Sequence, residues 1–292
     1  MKKTIDIVGK RNIFFTFSAI LIVISLGSLF INGLNFGIDF IGGTIIQIEL
    51  NQTFETNEIR EITDKFDESA SITNAGDNQT QLIIDTKENL TQEEIDSIYG
   101  EFEEKYDADI ELLNSDYKSA TIGNELRRQS LIAVAVAVLL MMAYISFRFQ
   151  FSYAMAALLA LLHDIVIVLG VYSLFNIPVN TAFIAAILTI LGYSVNDTIV
   201  VFDRVRENRK KYKKSQLAEL VNDSVSQTMP RSINTTLTTL LAITALYLMG
   251  VQAIQSFTLP LMVGFVSGAY SSIFIANSFW YVVQEKKVKS SR

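Results

Sequence analysis

The sequence predicts a polytopic α-helical membrane protein of six transmembrane helices with an inserted extracytoplasmic α+β domain. Three observations predict it. Half of the 292 residues are apolar and the mean hydropathy is +0.33, which is unusual for a soluble domain. Apolar runs long enough to cross about 30 Å of hydrocarbon, roughly 20 residues each, recur along the chain. One long hydrophilic stretch, Asn35–Gln129, interrupts them and holds 22 Asp/Glu against seven Lys/Arg. Zero cysteines exclude disulfides and thiolate chemistry, and a single histidine argues against a histidine-built metal site or triad.

In chain order the predicted spans are Ile13–Leu34, Ser130–Phe147, Phe151–Phe175, Val179–Phe202, Ser232–Met249 and Leu259–Val283, with Gly250–Pro260 as a possible extension of the sixth. The first run is longer than a signal-peptide core and no small-residue cleavage pattern closes it, so it reads as a retained helix. Lys and Arg set the orientation. The amino terminus, the Asp203–Arg231 loop and the carboxyl tail carry four, eight and four, and Arg148 lies between the second and third spans. The opposite loops near Asn176–Asn180 and Gly250–Ser256 carry none. The positive-inside rule places both termini in the cytoplasm. The chain is therefore expected in the cell membrane as a multi-pass protein. It divides into residues 1–34 (cytoplasmic start and first helix), 35–129 (extracytoplasmic domain), 130–285 (five-helix membrane bundle) and 286–292 (basic cytoplasmic tail).

Within the insert, Thr44–Leu50 alternates like a strand and Thr56–Asp67 has helical periodicity. Ser71–Asn74 and Gln79–Asp85 are strand-like around the turn residues Gly76-Asp77-Asn78. Thr91–Lys105 is helical, with Thr91 and Glu94 spaced as a capping box, and Asp109–Leu113 is a last strand. The order β-α-β-β-α-β is the ferredoxin-like arrangement. Its net charge of about −15 is read first as a solvated surface and second as a site for a cation or basic partner.

Ionisable groups inside a span cost roughly 2.5–3.5 kcal/mol on insertion scales. His163-Asp164 falls near the centre of the third span and Asn196-Asp197 toward the cytoplasmic end of the fourth. Arg231 stands at the start of the fifth, at a depth compatible with Asp197. With an arginine there the carboxylate can take up and release a proton as their distance changes, or the two can form a static ion pair, or the arginine can snorkel to lipid phosphates. Asn234, Thr235, Thr236, Thr238 and Thr239 make the fifth span polar. Their hydroxyls either bond back to the helix or line a hydrated path beside Asp197. With His163 and Asp164, residues Thr235, Thr238 and Thr239 form a candidate polar relay, although a packed, hydrogen-bonded His163 is the simpler reading. Gly192, Gly264 and Gly268 allow close helix contacts, the last two at small-xxx-small spacing.

Where the first span ends, Asn35-Phe36-Gly37-Ile38-Asp39-Phe40-Ile41-Gly42-Gly43-Thr44 switches from helix to strand. Gly37, Asp39, Gly42 and Gly43 mark a membrane-to-domain joint in which glycine permits a sharp bend. This string resembles the signature shared by the SecD/SecF family, accessory subunits of the bacterial Sec protein translocase. The segment Gly192-Tyr193-Ser194-Val195-Asn196-Asp197-Thr198-Ile199-Val200-Val201-Phe202-Asp203-Arg204-Val205-Arg206-Glu207-Asn208 is similar to the SecF branch, and the resemblance covers essentially the whole chain.

The resemblance implies membership of the resistance-nodulation-division (RND) superfamily, with Asp197 as the membrane carboxylate, flanked by Asn196, and Arg231 as the arginine that opens the fifth helix. It also implies a separate SecD chain as partner, association with the SecY channel complex (SecYEG, on which SecA acts), contact with a translocating unfolded polypeptide, and use of the proton motive force in late translocation. A small-molecule exporter of the same superfamily and a passive translocon scaffold are the alternatives. Pro230, directly before Arg231, fits a first helical turn. No Walker-type glycine loop and no His/carboxylate metal spacing occur, so no enzyme activity, cofactor, metal or nucleic-acid partner is expected.

Overall fold

The computed structural model describes residues 4–76, 78–106, 110–250 and 252–290. Among the described residues, six helices are long and apolar enough to cross a membrane. The insert folds as a four-stranded antiparallel sheet with two helices, in the predicted β-α-β-β-α-β order.

The first membrane helix, α1 (Arg11–Asn32), ends where Gly33 turns to positive φ and donates its N–H to Leu29 O at 3.1 Å. A one-turn helix, α2 (Ile38–Ile41), then intervenes before β1 (Gly43–Glu49). Direct passage from helix to strand is thus corrected by four residues of helix, too short for any periodicity to announce. The domain continues with α3 (Thr56–Thr63), β2 (Ser71–Ala75), β3 (Gln81–Thr86), α4 (Gln92–Tyr106) and β4 (Glu111–Lys118).

The sheet order is β2-β3-β1-β4. Period-two alternation puts Ile46, Ile48, Leu82 and Ile84 on one face, where Ile59, Ile62, Ile95, Ile98 and Phe102 of the two helices cover them. Each such side chain contributes about 1.5–3 kcal/mol by burial. The Thr91/Glu94 box forms: Thr91 N donates to Glu94 Oε2 at 2.8 Å and Glu94 N to Thr91 Oγ1 at 3.4 Å.

Strand β4 runs five residues past the predicted Leu113 end, pairing with β1 as far as Gly43 opposite Lys118. Asn114–Lys118 is polar because β4 is an edge strand, and backbone pairing, not burial, holds it there. The predicted start of this strand at Asp109, and Asp77 of the hairpin turn, lie outside the described residues.

The remaining helices are α5 (Ala120–Arg148), α6 (Phe151–Leu174), α7 (Thr181–Asn208), α8 (Leu217–Met249), α9 (Gln252–Tyr270), a π-helical turn (Ser271–Ala276) and α10 (Asn277–Ser290). Helices α6, α7 and α9–α10 form the interior of the bundle, whereas α1, α5 and α8 leave most of their apolar surface outward. Two boundaries differ most from expectation, while α3 stops at Thr63, α7 runs on to Asn208 and the last span to Ser290. Helix α5 begins ten residues before Ser130, capped by Ser119, whose Oγ accepts from Thr121 N at 3.3 Å. Helix α8 begins at Leu217, so Pro230 and Arg231 lie in its interior instead of its first turn. Hydropathy sees only apolar runs, whereas Leu220, Val221 and Val225 are an amphipathic face buried in the bundle.

Candidate functional site

Three constellations stand out, two in the bundle and one at the joint.

Asp164 projects from α6 into the bundle and is fully buried. Its Oδ1 accepts from Ser267 Oγ at 2.7 Å and lies 3.0 Å from His163 Nδ1. Its Oδ2 accepts from Ser194 Oγ on α7 and from Ser271 Oγ on the π-helical turn, each at 2.8 Å. The other histidine nitrogen, Nε2, is 3.2 Å from Ser18 Oγ of α1. Ser18 donates to the Tyr270 hydroxyl at 3.3 Å, and Tyr270 donates to Phe14 O at 2.9 Å. One carboxylate thus ties α1, α6, α7 and α9 together.

Tyr193, Ser194, Asp197 and Thr198 lie within one turn and a half of α7. Ser194 and Thr198 share a face, four residues apart. Thr198 Oγ1 lies 2.7 Å from Ser272 Oγ, which donates to Ser194 O at 3.3 Å. These hydroxyls carry the polar contact from Asp164 to the turn that bears Asp197. Asp197 itself is buried; Oδ1 accepts from Ser232 Oγ of α8 at 2.6 Å, and Oδ2 has no hydrogen-bond partner among the described residues.

The expected pairing of Asp197 with Arg231 is not formed. No ion pair joins them among the described residues, and the Arg231 side chain is exposed. Successive helical residues point about 100° apart, so with Ser232 facing α7, its neighbour Arg231 faces outward. Asn196 is likewise exposed, away from the Asp197 pocket.

Thr235, Thr238 and Thr239 donate to Arg231 O, Asn234 O and Thr235 O at 2.8–2.9 Å. This is the back-bonded alternative, and among the described residues they form no continuous row with His163 and Asp164; Thr239 also reaches across, to the Tyr193 hydroxyl at 3.3 Å. Sequence reasoning missed Ser18, Ser194, Ser232, Ser267, Ser271 and Ser272. Ser267 and Ser271, four apart on an apolar helix, were the available signal. Gly264 and Gly268 bring α9 against Ile190 and Ser194 of α7, as expected of them, whereas Gly192 has no neighbour within 4 Å of a built Cβ.

At the joint, Asp39 Oδ1 accepts from Lys118 Nζ at 2.7 Å. Its Oδ2 accepts from Thr181 N at 3.0 Å and Thr181 Oγ1 at 2.8 Å, at the start of α7. Gly37 N donates to Val179 O and Val179 N to Asn35 O, both at 2.8 Å. Gly42 and Gly43 have φ of +85° and +145°, and a Cβ at Gly43 would lie 2.1 Å from Thr86 O. Only glycine fits there.

Burial raises the Asp39 carboxyl, but the bonds from Lys118 and Thr181 outweigh it and hold the group below the ordinary aspartate value. Asp85 nearby is shifted up: burial dominates, Lys118 opposes it and the Asp39 charge adds to it. Both carboxyls line a cavity of about 400 Å³ between the open face of the sheet and the bundle ends, with Tyr172 and Tyr247 among its walls.

This arrangement has counterparts among known proteins. Residues 98–286 match the family described as protein export membrane protein SecD/SecF, C-terminal, and residues 27–53 match the SecD/SecF GG motif. The protein translocase subunit SecF of Sebaldella termitidis is 38% identical over 288 residues, covering 95% of this chain and 91% of that one. The SecF subunit of Pseudomonas aeruginosa is 39% identical over 277 residues, covering 94% and 90%. The crystal structure of SecDF, a translocon-associated membrane protein from Thermus thermophilus, superimposes with a TM-score of 0.83 at 35% identity. That match covers 98% of this chain and 39% of the longer SecDF chain. SecDF in its super-membrane-facing form gives 0.77 at 32% identity, covering 100% and 40%.

Proposed function

The chain belongs to the SecD/SecF family of protein-export membrane proteins, and from that premise we propose that it is a SecF-type accessory subunit of a Sec translocase. In this reading it works with a separate SecD chain and the SecY channel complex, and uses the proton motive force to promote late steps of polypeptide translocation. Its Lys/Arg-rich ends and loops face the cytoplasm and the acidic domain faces outward. The chain does no covalent chemistry of its own; SecA supplies ATP hydrolysis at the channel.

One observation carries the coupling step. Asp197 sits buried on an interior membrane helix with one oxygen bonded by Ser232 and the other without a partner among the described residues. A buried acceptor left unmatched is costly, on the order of 1–3 kcal/mol and more when charged, and a proton relieves that cost. Arg231, one residue from Ser232 and facing away, is a cation that a small rotation of α8 brings toward or away from the carboxylate. One charge crossing 100 mV is worth about 2.3 kcal/mol, within the roughly 1–3 kcal/mol of ordinary conformational couplings. Proton entry at Asp197 therefore supplies enough free energy to shift the packing of α7 against α8.

The test is translocation of a secretory protein into inverted membrane vesicles holding this chain with a SecD-type partner, with and without a proton gradient. Asp197→Asn removes titration at nearly constant volume. The expected result is loss of the gradient's benefit in the variant with assembly intact. Equal responses of wild type and variant would overturn the reading and leave a passive scaffold.

A further inference from the structure

We propose that Asp39 is a positioning residue of the coupling machinery, fastening the extracytoplasmic domain to the start of α7, the helix that carries Asp197. The inference rests on the proton-coupled reading above and names the part that transmits its motion.

The connectivity makes such a link necessary. The domain is covalently continuous with α1 through residues 33–37 and with α5 through Ser119. Along the chain, helix α7 reaches α5 only by way of the whole of α6, so the short path from Asp197 to the domain runs through non-covalent contacts. The joint supplies them in a tight set. Phe36 pairs with Val179 as a short parallel bridge, with backbone bonds at 2.8 Å on both sides. Three residues beyond Phe36, Asp39 accepts both donors of Thr181 on one oxygen and the Lys118 ammonium on the other.

The chemistry suits a firm link. Thr181 is the first residue of α7, and its N–H is one of the donors that a helix start leaves without an intrahelical partner. A carboxylate there also meets the positive end of the helix dipole. The opposite oxygen holds Lys118, the last residue of β4, one residue before the cap of α5. Asp39 therefore joins three bodies: the glycine joint, the sheet with α5, and α7.

The joint itself cannot give. Gly42 and Gly43 are packed against the backbone of Lys118, Ala120 and Thr86, and Gly42 N closes the α2 turn onto Ile38 O at 2.9 Å. From Thr181 to Asp197 is 16 residues of continuous helix, about 24 Å at 1.5 Å per residue. A shift or tilt of α7 at the buried carboxylate is delivered as a shift of Thr181. Beside the joint, the sheet and the bundle ends are separated by the cavity lined by Asp39 and Asp85, which leaves room for the domain to move.

Position 181 allows an unusually clean perturbation. Thr181→Pro removes both donors to Asp39, yet proline is favoured at the first helical position, and Asn180 before it is already extended at φ −127°, ψ −175°. Asp39→Asn is the companion variant, because its amide carbonyl still accepts from Thr181 while the charge is lost. The chain has no cysteine, so Glu103→Cys on the domain and Phe175→Cys at the end of α6 give a unique spin-label pair.

The experiment uses the full chain with a SecD-type partner in vesicles and reads three signals: Asp197-dependent proton flux with an internal pH dye, the label distance before and after a gradient is imposed, and export. For Thr181→Pro we expect flux retained, the gradient-driven distance change abolished, and gradient-dependent export reduced about 5- to 150-fold, the span of ordinary coupling free energies. Asp39→Asn is expected to restore part of the distance change. A distance change that persists in Thr181→Pro overturns the proposal while leaving the proton-coupled reading intact, and loss of flux together with the distance change overturns it as a transmission role. Absence of Asp197-dependent flux in the wild-type chain defeats the proton-coupled reading, and the link with it.

Discussion

Asp164 offers the sharpest test of how the bundle is held. Asp164→Ala removes the group that faces His163 Nδ1 and leaves the hydroxyls of Ser194, Ser267 and Ser271 without their acceptor. The serines can recover, since a helical serine can bond back to a carbonyl, as Ser271 already does to Gly268 O at 3.2 Å. The histidine cannot, because it is buried and its second nitrogen is committed to Ser18. The loss is therefore dominated by one buried polar partner left unsatisfied, about 1–3 kcal/mol. At roughly 2–4 °C per kcal/mol for chains of this order, the midpoint falls by about 2–12 °C.

The assay is thermal unfolding of the full chain in detergent, followed by fluorescence of Trp280, the one tryptophan. Trp280 is buried and stacked on Tyr153 at 4.9 Å in the same bundle. A double-mutant cycle sharpens the result. Adding His163→Leu to Asp164→Ala should recover much of the loss, since it removes the stranded group, so the two effects are far from additive. Additivity within about 0.5 kcal/mol, or an Asp164→Ala shift under about 2 °C, would refute the claim that Asp164 holds His163 in place.

Other expectations follow from local geometry. Gly264→Val forces a Cβ into Ile190, whose side chain lies 2.3 Å from a built Cβ. Overpacking of this kind costs about 1–3 kcal/mol, and Ile190→Ala in the same chain should return most of the lost midpoint; no rescue would mean that α7 and α9 do not meet there. Asp85, shifted up chiefly by burial, binds more protons folded than unfolded, so it lowers stability as pH rises through its folded-state value. Asp85→Asn should therefore raise the midpoint measured by far-UV circular dichroism at neutral pH, with the gain fading as pH falls toward the ordinary value of 3.8. A gain independent of pH would remove the ionisation argument. Asp39 has the opposite sign: held below its ordinary value, it stabilises the joint above pH 3.8 and loses that contribution only in stronger acid.

Much of this protein was fixed by local and compositional rules. Six apolar runs of spanning length, one acidic insert, period-two alternation in Thr44–Leu50 and the Thr91/Glu94 box are each consequences of neighbours in sequence, and all of them are present in the fold. Buried carboxylates at positions 164 and 197 were legible for the same reason, because a charge in an apolar run is conspicuous wherever its partners lie.

Partners are what sequence could not supply. Ser194, Ser267 and Ser271 converge on Asp164 and Ser18 meets its neighbour His163, and a serine in a membrane helix gives no sign of which polar group it meets. Arg231 shows the same limit. Its depth matched Asp197, but helical phase at 100° per residue, fixed by the long α8 that runs through Pro230, turned Ser232 inward and Arg231 out. The link from Asp39 to Thr181 spans 142 positions. It exists only because the joint and the start of α7 arrive at the same end of the bundle, which is a property of packed helices and of no single segment.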